Sequence, residues 1–117
     1  MTDLDALLTA IVERGNSYSQ AVARSDGPEV SFDVARTEPE PAGGDAVVVS
    51  FTYRDAGGAR RLEYRIPADD SLLGELARGE EDADGAGTII AVNLWEEIDV
   101  IGVDAAIANG TFRVATG

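Results

Sequence analysis

The chain has no cysteine and no histidine. Its nine basic residues are all arginine, so lysine is missing as well. Without cysteine there are no disulfides, thiolate metal sites or Cys nucleophiles. Without histidine there is no imidazole ligand and no His general base. Without lysine there is no Schiff base and no P-loop lysine. None of the serines (Ser17, Ser19, Ser25, Ser31, Ser50, Ser71) sits in a Gly-x-Ser-x-Gly elbow, and no Gly-x-Gly-x-x-Gly follows an expected strand. No cofactor is indicated. Long apolar runs are also lacking: Ala46–Val49 is typical, far short of the roughly 20 residues of a membrane span. The start, Met1-Thr2-Asp3-Leu4-Asp5, is acidic where a secretory signal needs basic residues, so a soluble cytoplasmic protein with no membrane partner is expected.

Acid is what the chain has in excess. Twenty-two Asp and Glu against nine Arg give a net charge of −13 over 117 residues. Such a chain repels phosphate, and direct nucleic-acid binding is not expected. Two readings of the acidity compete. One is adaptation to a very salty cytoplasm, in which screening relieves repulsion among dispersed carboxylates. The absence of Lys, whose alkyl stem adds apolar surface, fits that reading. The other is a nucleic-acid mimic, which should gather its acids on one face. Here they run from Asp3 and Asp5 through Glu29, Asp33 and Glu63 to Asp104, and the first reading is preferred.

The length suits one domain, residues 1–117, and a hydrophobic content of 44% supports a packed core. Within residues 3–24, Leu4, Leu7, Leu8, Ile11, Gly15, Tyr18 and Val22 fall on one helical stripe. Thr2 suits its N-cap and Gly27-Pro28 its stop. Gly15 threatens a break, or lets a neighbouring element come close. Val30, Phe32 and Val34 alternate with Ser31 and Asp33 as a half-buried strand, followed by a flexible loop at about 37–45. Residues 46–66 read as a β-hairpin turning at Asp55-Ala56-Gly57-Gly58, with Val47, Val49, Phe51, Tyr53, Leu62, Tyr64 and Ile66 on one face. Asp69 or Asp70 caps a short helix bearing Leu72, Leu73 and Leu76, closed by Gly79.

Beyond a second flexible loop, 79–87, the β-branched run Thr88–Val92 reads as a buried central strand. Residues 94–109 fit either a helix capped by Asn93 or a pair of strands. The helix is preferred, although Val100, Val103 and Ile107 make it apolar on two faces. Asn109-Gly110-Thr111 matches a glycosylation sequon but marks a turn, and Thr111–Val114 is a last short strand. The fold class expected is α+β: an antiparallel sheet of about five strands with helices on one face. This order resembles that of small acidic secretion-chaperone-like folds, a likeness of element order without shared motif residues.

Four features are candidate sites. The hairpin register sets Thr52 opposite Arg61, Ser50 opposite Glu63 and Val48 opposite Arg65, so Arg54, Arg61 and Arg65 share the polar face with Arg60 near the tip. Guanidinium forks there suit a carboxylate or phosphate; the plainer reading is a solvated face whose arginines pair with Glu63 and nearby acids. In the acidic loop, Asp82, Asp84 and Gly87 match positions 1, 3 and 6 of an EF-hand, but Ala86 and Asn93 stand where ligands belong. Adjacent acids, Glu96-Glu97 and Asp69-Asp70, suit charge at helix starts. Trp95, the single tryptophan, is more in keeping with a core than an interface. The function expected is a non-enzymatic protein–protein interaction or regulatory module whose partner is another protein or a second copy as a homodimer. The alternatives are a small-anion-binding effector or nucleic-acid-mimicking regulator, then a carboxylate- or metal-assisted enzyme.

Overall fold

The computed structural model describes residues 3–115, so the Thr2 cap lies outside the described residues. Helix α1 (Asp3–Val22) is followed by strands β1 (Glu29–Pro39), β2 (Asp45–Asp55) and β3 (Gly58–Ile66). Then come helices α2 (Ser71–Ala77) and α3 (Ala83–Glu96), one π-helical turn (Glu97–Ile101), helix α4 (Val103–Ala108) and strand β4 (Phe112–Val114). The strands form one antiparallel sheet in the order β1-β2-β3-β4. The α+β class holds, but among the described residues the sheet has four strands rather than about five. No described helix is long and apolar enough to cross a membrane.

Helix α1 runs unbroken through Gly15. The glycine is there for space: a Cβ on it would lie 2.5 Å from the Phe32 ring of β1. The next residue, Asn16, completes the junction. Its amide donates to the Phe32 carbonyl at 3.0 Å, and its carbonyl accepts the Phe32 N–H at 2.9 Å, as a neighbouring strand would. Just beyond, a β-bulge between Phe32 and Val34 shifts the register against β2. The expected alternation therefore fails at Val34, which moves to the outer face and stands 49% exposed. Strand β1 also runs further than expected. Pro39 pairs with Asp45, and the loop shrinks to a turn in which Glu40 N–H donates to the Gly44 carbonyl at 3.0 Å. A proline is tolerated there because β1 is an edge strand.

The hairpin pairs in the register read from the sequence: Thr52 with Arg61, Ser50 with Glu63, Val48 with Arg65. Its inner face carries Val47, Val49, Phe51, Leu62 and Ile66 into one core with Leu7 and Ile11 of α1 and Ile90 and Leu94 of α3. The α1–α3 crossing is close because small residues meet; a Cβ on Gly87 would lie 2.9 Å from the Ala10 backbone.

Asp70, rather than Asp69, caps α2 by accepting the Leu72 N–H at 2.9 Å. Gly79, at φ +74°, closes it as expected: its N–H donates to Leu76 and that of Glu80 to Glu75. The expected strand Thr88–Val92 is instead the middle of α3. Asp82 caps that helix through the Gly85 N–H at 2.7 Å, and Ala86, Ile90, Leu94 and Ile98 recur every four residues on its buried side. The second loop therefore ends at Asp82, and Asn93 is an exposed residue within the helix rather than its cap. Beyond α2, the element order departs from the secretion-chaperone-like arrangement.

The two apolar faces expected of 94–109 are reconciled by Gly102. At φ +95° it stops the helix and starts α4 in a new phase, so Val103 and Ala106 are buried with Ile98. Asn109 Oδ1 accepts the Thr111 N–H at 2.9 Å, and with Gly110 at φ +86° the sequon is a turn.

Candidate functional site

The outer face of the sheet is where the candidate arginines lie. Its floor is the outward row of β2: Ala46 and Val48 are fully buried and Ser50 nearly so. Arginine and glutamate stems roof this row, with apolar stems below and charged heads outward. Arg36 of β1 bonds Glu63 of β3 at 3.0 Å and donates to Ser50 Oγ at 3.3 Å. Arg113 of β4 bonds Glu63 at 2.5 Å and Glu38 of β1 at 3.0 Å. Arg65 of β3 lies 3.8 Å from Glu38 and bonds Glu40, whose second oxygen takes the Ala68 N–H at 2.6 Å. Three arginines and three glutamates, from β1, the turn after it, β3 and β4, thus form a neutral lattice over β2.

The lattice fixes the titration of its acids. Hydrogen bonds from Arg65 and from the Ala68 amide hold the Glu40 carboxyl below its ordinary value. Burial pushes Glu63 up, but hydrogen bonds from Arg113 and Arg36 outweigh it and leave the carboxyl lowered.

The three sequence candidates are divided by this geometry. Arg65 belongs to the lattice. Arg54 and Arg61 lie at the turn end, both exposed and neither in an ion pair among the described residues. Arg61 is four residues from Arg65 along β3, about 13 Å at the rise of a strand. Since Thr52 faces Arg61 and Ala59 faces Arg54, those two arginines are diagonal neighbours on adjacent strands, with Cα atoms roughly 7–8 Å apart. Between them Thr52 donates to Asp33 at 2.7 Å. Arg54 also lines a hollow of about 260 Å³ together with Asp26, Glu29 and Asp55. Arg60 is on the opposite, inner face. It lies over the Tyr53 ring, 5.6 Å from the centroid, and bonds Asp104 at 2.8 Å.

The acidic-loop candidates have other work. Asp82 is the α3 cap, and Asp84 faces Arg14 at 3.3 Å. Among the described residues no group of three acids is gathered as a metal would need. Trp95 is core, 6% exposed, with its indole N–H donating to Ser19 Oγ at 3.0 Å. Glu96 ends α3 and Glu97 opens the π-turn, so the pair lies late in one helical run rather than at its start, where the dipole would favour acids. Glu97 Oε2 is buried without a hydrogen bond. Burial raises the Tyr64 hydroxyl pKa, and the charges of Glu97 and Asp70 add to that rise.

Four members of the lattice, Arg36, Glu38, Glu40 and Arg113, were missed in the sequence. Arg36 and Arg113, both members of the lattice, lie far from the hairpin in sequence, and only the bulge and the β3–β4 pairing bring them onto its face. The alternation Arg36-x-Glu38-x-Glu40 was the available signal, hidden by the expectation of a loop. No family model, curated protein or solved structure matches this chain.

Proposed function

We propose that this chain is a small acidic, salt-adapted, non-enzymatic protein-interaction module that works in the cytoplasm. Its contact is Arg54 and Arg61, which receive a carboxylate-bearing segment of a partner protein. The observation that carries this reading is the pair itself. In a chain with 22 acids and nine arginines, two arginines that are diagonal neighbours on β2 and β3 are exposed with no ion-pair partner among the described residues. Planar forks in that arrangement suit bidentate carboxylate recognition. Asp26, Glu29 and Asp55, which line the hollow beside Arg54, oppose any anion there, so the contact rests on the open outer face of the strands and not on the hollow. A phosphate mimic has less support too, since Glu38, Glu40 and Glu63 of the outer face are neutralised by arginine.

The test uses the parent chain, an R54Q/R61Q variant and an R65Q variant as bait in native lysate at molar KCl, where diffuse charge attraction is screened. The expected result is a partner held by the parent and lost by R54Q/R61Q with an unchanged melting temperature. R65Q should keep the partner but melt lower, having lost a lattice member. A double variant that captures the same proteins as the parent would overturn the reading.

A further inference from the structure

The π-turn that ends α3 leaves Val100 81% and Ile101 45% exposed, the former the most exposed large apolar side chain among the described residues. Their display is built in. Ile98 anchors the turn in the core, and the Gly102 N–H closes it on the Glu97 carbonyl at 3.0 Å. Single π-turns of this kind are frequent at sites of function. Position 100 has no packing reason to be valine, and high salt makes exposed apolar surface less favourable.

The charge around the turn selects the occupant. Glu96 and Asp99 are exposed beside it, and the Asp104 side chain is 90% exposed. Asp99, Asp104 and Asp55 all bear on the Tyr53 hydroxyl, whose pKa is raised chiefly by burial and further by these three charges, so they share one side of the molecule. The cation in that group is Arg60, already bound to Asp104. A second copy carrying −13, or an anionic phosphate surface, is repelled there. A basic segment is attracted.

We propose that the π-turn, independently of the arginine pair, docks a basic, apolar-tipped segment of a partner protein. The segment's apolar side chain seats on Val100 and Ile101, and its cationic groups meet Glu96 and Asp99.

The experiment titrates the isotopically labelled full chain with three synthetic peptides in about 0.15 M KCl, where a Debye length of about 8 Å leaves adjacent charges effective: alternating Arg-Leu, Arg-Ser and Glu-Leu. The Arg-Leu peptide should bind, with amide shifts centred on residues 96–104 and a change in Trp95 fluorescence. The other two should bind at least about tenfold more weakly. Val100→Ser should weaken Arg-Leu binding about tenfold, and Asp99→Asn a few-fold. Val34→Ser, which removes an exposed valine elsewhere, should change nothing. The proposal is overturned by no binding, by equal binding of Arg-Ser, by shifts spread over the acidic surface, or by unaltered affinity in Val100→Ser.

Discussion

Gly15 and Phe32 set two opposed effects against each other at a single contact. Alanine is favoured over glycine within a helix by about 1 kcal/mol. Here that gain meets a Cβ placed 2.5 Å from ring atoms that cannot easily withdraw, because Asn16 holds the Phe32 backbone on both sides. Overpacking of this kind costs roughly 1–3 kcal/mol. Gly15→Ala should therefore lower the urea midpoint despite its better helix propensity, and the loss should shrink in a Phe32→Leu background. A midpoint raised by the single change would show that the ring moves aside. The sequence made the glycine's two possibilities visible but not the choice between them, since the ring it admits lies 17 residues away. The Trp95–Ser19 bond, between residues 76 positions apart, was equally out of view.

Where a pattern was local, element boundaries followed from the sequence. The hairpin's alternation and its Gly57-Gly58 turn predicted every cross-strand pair tested, and the Asp70 cap and Gly79 stop bounded α2. Helix α3 was misread because its β-branched stretch, Thr88–Val92, was weighed apart from the flanking Ala86, Leu94 and Ile98 that continue its four-residue rhythm. In β1 a single bulge reversed the phase, and alternation alone contains no signal for a bulge. The lattice that this bulge permits makes the sheet's stability depend on pH. Both Glu40 and Glu63 have folded-state pKa values below their ordinary 4.5, so on acidification the unfolded chain takes up protons first. Their contribution is complete above that value and is lost as pH falls through the folded-state values beneath it. An E40Q/E63Q variant should be less stable than the parent at pH 6, and the gap should close toward pH 3. A gap that stays constant in denaturant titrations across that range would mean the two carboxylates are not held by the lattice.

Salt acts on the whole molecule in two directions. Screening relieves repulsion among the acids that have no arginine, and concentrated salt strengthens apolar burial. It also weakens exposed ion pairs, each worth roughly 0–1 kcal/mol at such surfaces. With an acid excess of 13 the first effect should dominate, so the melting temperature should climb steeply as KCl goes from dilute to molar. A flat profile would remove salt adaptation as the reason for the composition. The lattice has one more consequence, which concerns order of assembly. Glu38 and Arg113 lie 75 residues apart and join the two outermost strands of the sheet. Bringing them together closes a loop over most of the chain, and such a contact is costly in chain entropy until everything between has condensed. The three-residue β4 should therefore be the last strand to arrive, so that Arg113→Gln speeds unfolding and leaves the folding rate unchanged.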